Sequence, residues 1–199
     1  MVPTPPASVP APRGPLPEGD LVRQWYETEL GWATASGPPL QLLTGLRFDV
    51  LQMPAEAGYA VLRRLGDALP KGPVALAGDL LQLLVAAGSA DELPGLLDWL
   101  EWGSLALDLT AFGVGGRITA PPPPTGPGPQ GAARWLRPPE PGCEVEPTLP
   151  AFTGFGRRAD TNQGAGGTGA DFVRLVDTAA TQCHRVRLLR ACAQPLAFS

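Results

Sequence analysis

Leu40-Gln41-Leu42-Leu43-Thr44-Gly45-Leu46-Arg47-Phe48-Asp49-Val50-Leu51 sets two short apolar runs on either side of a Thr-Gly turn. Runs of this length around a turn signal predict two strands, residues 40–43 and 47–51. The second run carries one aspartate among residues that otherwise read as buried. A carboxylate there is costly to bury unless it is paired, hydrogen-bonded or bound to metal. Asp49 is therefore either a functional acid or a side chain satisfied by local backbone.

Downstream, Pro54 suits the first position of a helix, and Ala57, Val61, Leu65 and Leu69 recur at helical spacing. Residues 74–77 and 80–86 flank Gly78-Asp79 and predict a tight hairpin. Ser89 and Glu92 match a capping box, although Pro94 favours a helix start nearer Asp91. Leu93, Leu96, Leu97 and Leu100 form its apolar face, flanked by Trp99 and Trp102. A further strand is expected at 104–109, turned by Gly113-Val114-Gly115-Gly116 into 117–120, with an edge strand at 133–136. Upstream, Asp20 offers an N-cap for a helix over 20–30. Helices interleaved with strand pairs predict an α+β fold: a mixed, mainly antiparallel sheet with covering helices. That sheet is expected to contain 40–43, 47–51, 80–86 and 104–109.

The 199 residues fit one domain, but Gly and Pro, 25 of each, shorten the foldable part. The expected organisation is a Pro-rich disordered N-terminus at 1–19, a folded domain at 20–139, a Pro/Gly-rich linker at 140–169 and a C-terminal amphipathic helix and tail at 170–199. Phe172, Val176, Ala179, Cys183 and Val186 mark the apolar stripe of that helix, which reads as an accessory element tethered by glycines. The proline run at 121–129 reads as a linker. The five tryptophans, at 25, 32, 99, 102 and 135, read as core.

A net charge of −4 gives no global electrostatic case for nucleic-acid binding, so any such contact needs a local arginine patch. Arg185, Arg187 and Arg190 cluster at the end of the last helix. They complement the helix dipole with no partner, or they dock an acidic protein surface or, weakly, nucleic acid. Cys143, Cys183, Cys192 and the lone His184 have no zinc spacing, so no metal site is expected. Gly113-x-Gly115-Gly116 lacks the ending of a P-loop and reads as a hairpin turn. No leader or membrane-length apolar run is evident, and a soluble cytoplasmic protein is expected. Lys71 is the sole lysine, which with abundant Ala, Gly and Pro suggests a GC-rich genome.

The order of Trp32-Ala33-Thr34, Leu43-Thr44-Gly45, Phe48-Asp49-Val50-Leu51, Leu105-Ala106-Leu107-Asp108-Leu109 and Gly115-Gly116-Arg117-Ile118-Thr119-Ala120-Pro121-Pro122 resembles the N-terminal prim-pol domain of bifunctional DNA primase/polymerases. That domain belongs to the archaeo-eukaryotic primase superfamily. The resemblance covers about half of the chain and is nearest to short, stand-alone actinobacterial forms. It implies nucleotidyl transfer by two metal ions, which needs an Asp-x-Asp pair, a third Asp and a histidine. Asp49 matches the first acid and Asp108 the third, but Leu51 replaces the second and no histidine precedes His184. The expectation is a degenerate, non-catalytic primase/polymerase-like protein acting as a nucleic-acid-associated accessory or protein-interaction module, with no cofactor. Its partner, or a second copy of itself, would engage the C-terminal helix. Arg117, Arg185, Arg187 and Arg190 are the candidate binding residues. The alternative is an active primase/polymerase using Asp49 and Asp108 with Mg²⁺.

Overall fold

The computed structural model describes residues 18–124, 133–151 and 169–192. The expected disordered start, most of the glycine tether, part of the proline run and the tail after 192 lie outside the described residues. In chain order the elements are α1 (Glu18–Gln24) with a π-helical turn (Trp25–Glu29), β1 (Thr34–Ala35), β2 (Gln41–Leu43), β3 (Phe48–Pro54), α2 (Ala55–Leu65), β4 (Val74–Ala77) and β5 (Leu80–Ala86). Then follow α3 (Ser89–Trp99), β6 (Thr110–Phe112), β7 (Arg117–Thr119), β8 (Arg134–Arg137) and α4 (Gly169–Cys192). The fold is α+β, as expected.

Two antiparallel sheets are present, one of five strands in the order β6-β3-β5-β4-β8 and one of three in the order β1-β2-β7. The alternation of β3 explains why two cores form around the larger sheet. Phe48 and Val50 enter a cluster with Leu42, Ile118, Tyr26 and Trp32, against the smaller sheet and the N-terminal helix. Leu51 and Met53 point the other way, into a cluster with α2, α3 and α4. The molecule is thus layered: helices, large sheet, small sheet.

The apolar stripe of α4 is not an accessory surface. Phe172, Leu175, Val176, Ala179, Ala180, Cys183 and Val186 are buried with Ala57, Val61 and Leu65 of α2 in the principal core. The helix is no accessory element on its tether: of the two covers the stripe could take, the core domain or another chain, it has the first and is docked in cis. Residues beyond 139 also belong to the fold: Val145 and Leu149 are buried in the second cluster, and the Ala86 amide donates to the Pro150 carbonyl at 2.9 Å.

Several local expectations are corrected. Residues 104–109 form no strand; pairing begins only at Thr110. Leu107 and Leu109 pack into the core below α4, and the Cys183 thiol reaches the Asp108 carbonyl at 3.8 Å. That segment is covered by a helix where a strand neighbour was expected. Residues 40–43 also leave the expected sheet, since β2 pairs with β1 and β7. The helix expected from Asp20 begins at Glu18 and passes into the π turn. α3 begins at Ser89 with Pro94 inside it, and no side chain of its own N-cap Gly88 bonds to it. Trp99, expected in the core, is 69% exposed. The hairpin at Gly78-Asp79 and the edge strand near 133–136 are both present.

Leu175 is fully buried in α4, whereas Leu189 on the same helix is 61% exposed. Leu175→Ala is expected to cost about 2–5 kcal/mol in denaturant unfolding, and Leu189→Ala at most about 0.5 kcal/mol. Equal small effects would show that α4 is not docked in the core.

Candidate functional site

The Thr-Gly turn and the Gly113–Gly116 turn carry the chain between the two sheets. β2 ends at Leu43 and β3 begins at Phe48 in the other sheet; β6 ends at Phe112 and β7 returns at Arg117. Neither turn closes a hairpin, contrary to expectation for the glycine run. The two crossings interlock. Thr44 Oγ1 donates to the Gly113 carbonyl at 2.6 Å, and the Thr44 amide donates to the Gly116 carbonyl at 3.1 Å. Gly45 has a positive φ of 85°, and a Cβ there would overlap the Val114 backbone. Glycine is required on both grounds.

Asp49 lies beside this joint and is 1% exposed. Its Oδ2 accepts the Ala90 amide at 2.8 Å, so it caps the first turn of α3 from a different element. This replaces the local capping box: Gly88 has no side chain to offer, and a carboxylate at a helix start is stabilised by the exposed amides and the dipole. Oδ1 makes no hydrogen bond. Burial pushes the Asp49 carboxyl above its ordinary value, the amides of Ala90, Gly88 and Gly45 pull it partly back, and nearby Asp91 raises it further.

Asp108 is placed elsewhere. The β3–β6 ladder runs from Val50↔Phe112 to Gln52↔Thr110. Asp49 lies beyond its first end and Asp108 beyond its last. Asp49 and Gln52 are three residue steps apart along β3, about 10 Å at roughly 3.3 Å per residue. Asp108 is exposed and 3.7 Å from Arg187. The pair therefore does not fit Mg²⁺ bridging, which needs convergent oxygens around hydrated metal. Leu51, at the position of the missing acid, is buried in the main core. Among the described residues, no three His, Cys, Asp or Glu side chains gather to hold a metal ion.

The arginines divide. Arg117 is exposed at the start of β7, away from the others. Arg187 turns toward Asp108. Arg185 and Arg190 line an open groove of about 460 Å³ between α4 and α2, opposite Arg63 and Glu56. Arg190 lies 3.7 Å from Glu56, but both side chains are exposed, so the pair is weak. Arg63 and Arg185 make no ion pair among the described residues. Val186 and Leu189 supply apolar floor and rim. Arg63 was missed as a binding residue because its partner helix is distant in sequence. Its position seven residues after Glu56, on the face also holding Ala60, was the available signal.

Comparison with family models, curated proteins and solved structures gives no match. Among the described residues, no helix is long and apolar enough to cross a membrane.

Asp49→Ala removes the acceptor of the Ala90 amide and is expected to cost about 1–3 kcal/mol. Asp49→Asn keeps an acceptor without the buried charge. Because the folded-state pKa of Asp49 is raised, its ionised form opposes folding at neutral pH. That penalty fades as pH falls through the folded value and is gone below the unfolded value, about 3.9. Asp49→Asn should therefore be at least as stable as the native protein at neutral pH, with the advantage shrinking on acidification. Chemical denaturation across this range checks the sign; an advantage growing toward acid contradicts it.

Proposed function

We propose that this protein is a non-catalytic interaction module that binds an acidic protein segment in the α2–α4 groove. One observation carries the reading: Arg63, Arg185 and Arg190 line one groove facing the single carboxylate of Glu56, on a chain of net charge −4. The local excess of positive charge stands against the sign of the whole molecule. Exposed Leu188 and Leu189 lie at the same end of α4. Arginine beside aliphatic surface suits a partner with alternating acidic and apolar residues.

A protein segment is favoured over nucleic acid because no aromatic side chain lines the groove to stack a base. A relation to primase/polymerases enters this proposal as ancestry only. The geometry gives no support to nucleotidyl transfer through Asp49 and Asp108. Cytoplasmic action is part of the same proposal.

Selection from a peptide display library is expected to enrich acidic, leucine-containing sequences. Arg63→Ala and Arg185→Ala should each weaken the selected peptides about fivefold, roughly 1 kcal/mol. The affinity should fall with added salt. Enrichment without acidic bias, or indifference to both substitutions, contradicts the proposal. A thymidine oligonucleotide that binds more tightly than the peptides transfers the groove to nucleic acid.

A further inference from the structure

A second pocket, remote in sequence from the α2–α4 groove, encloses about 240 Å³ between the lead into β4, the end of β8 and the segment around Val145. Its chemistry differs from the groove. Leu30, Trp32, Pro73 and neighbouring prolines give it an apolar wall, while Arg137, Lys71 and Glu140 bring charges of both signs. The volume suits a small molecule and is below the range of drug-sized sites.

Arg137 is the distinctive group. Its Nη1 donates to the Gly72 carbonyl at 3.0 Å and lies 3.5 Å from the Pro70 carbonyl, which fixes the guanidinium against the wall. It makes no ion pair among the described residues, and burial lowers its pKa from the ordinary arginine value. A partly buried cation without a counter-ion is a cost that a ligand anion relieves. The strand pairing gives a second, independent sign. Ala75 pairs with Trp135 but Val74 with Arg137, so β8 carries one extra residue immediately before Arg137. Such bulges re-aim a side chain and recur beside binding sites. Nearby Arg47, by contrast, is neutralised by Glu146 at 2.6 Å.

We propose that this pocket binds a small zwitterion with an apolar body, of the chemical class of an apolar α-amino acid. Arg137 takes the carboxylate with its remaining donors, assisted by Lys71. Glu140 and Glu144, on the same pocket, take the ammonium group. The Leu30, Trp32 and proline wall holds the apolar body. Guanidinium geometry matches a carboxylate by paired hydrogen bonds, and the two glutamates disfavour a simple anion.

The test is calorimetric titration of the full-length protein with L-phenylalanine, phenylacetate and phenethylamine as probes. Cys143, an exposed thiol on the pocket wall, reports location through its alkylation rate, and exposed Cys192 serves as the control. Phenylalanine is expected to bind saturably and to protect Cys143 but not Cys192. Phenylacetate should bind about tenfold more weakly, with phenethylamine weaker still. Arg137→Gln should abolish binding, and Lys71→Gln, an exposed position, should weaken it severalfold with an unchanged unfolding midpoint. Absence of saturable phenylalanine binding overturns the proposal, as does binding that leaves Cys143 unprotected. Equal affinity for phenylacetate or phenethylamine overturns it too, as does indifference to Lys71→Gln.

Discussion

The carboxylate of Asp49, closed off from solvent and bonded to the first turn of α3, is the constraint around which the molecule is arranged. It sits where the chain twice changes sheets. Thr44 and Gly45 on one crossing grip Gly113, Val114 and Gly116 on the other. β3 can then face the small sheet with Phe48 and Val50 and the helices with Leu51 and Met53. An acid on the helix face of such a strand must be paired, hydrogen-bonded or bound to metal. The glycine at the N-cap of α3 leaves an amide for it, and here the helix supplies the hydrogen bond.

The same economy appears in α4. One face completes the core against α2 and α3, and the arginines that this packing leaves outside meet Arg63 across a groove. Docking in cis therefore creates the surface proposed for binding. Destabilising the core contact and weakening the groove are linked through one helix, which is why stability and binding must be measured on the same variants.

Much of this was legible in the sequence. Short apolar runs bounded by turn signals, at 47–51 and at 80–86 after the Gly78-Asp79 turn, locate β3 and the β4–β5 hairpin. Helical spacing of Ala57, Val61 and Leu65, and of Phe172, Val176 and Ala179, locates α2 and α4. What failed was non-local. A Thr-Gly or glycine-rich turn announces a reversal but not which sheet receives the next strand. Ser89 looked like an N-cap because nothing nearby reveals that Asp49, forty-one residues before Ala90, occupies that role. The Leu105-Leu107-Leu109 alternation mimics a strand, yet Leu107 and Leu109 pack into the core beside α4 while Leu105 is exposed. Asp108 and Asp49 were joined as candidate acids by motif order, and register along β3 and β6 separates them.

The most direct test follows the Asp49 carboxyl carbon and the Ala90 amide proton by NMR through a pH titration, repeated with Mg²⁺. The account predicts that both resonances move together, with a midpoint above the ordinary aspartate value of about 3.9, and that Mg²⁺ leaves both unchanged. A midpoint at or below that value, an Ala90 amide indifferent to it, or Mg²⁺-induced shifts shared by Asp49 and Asp108 would contradict it.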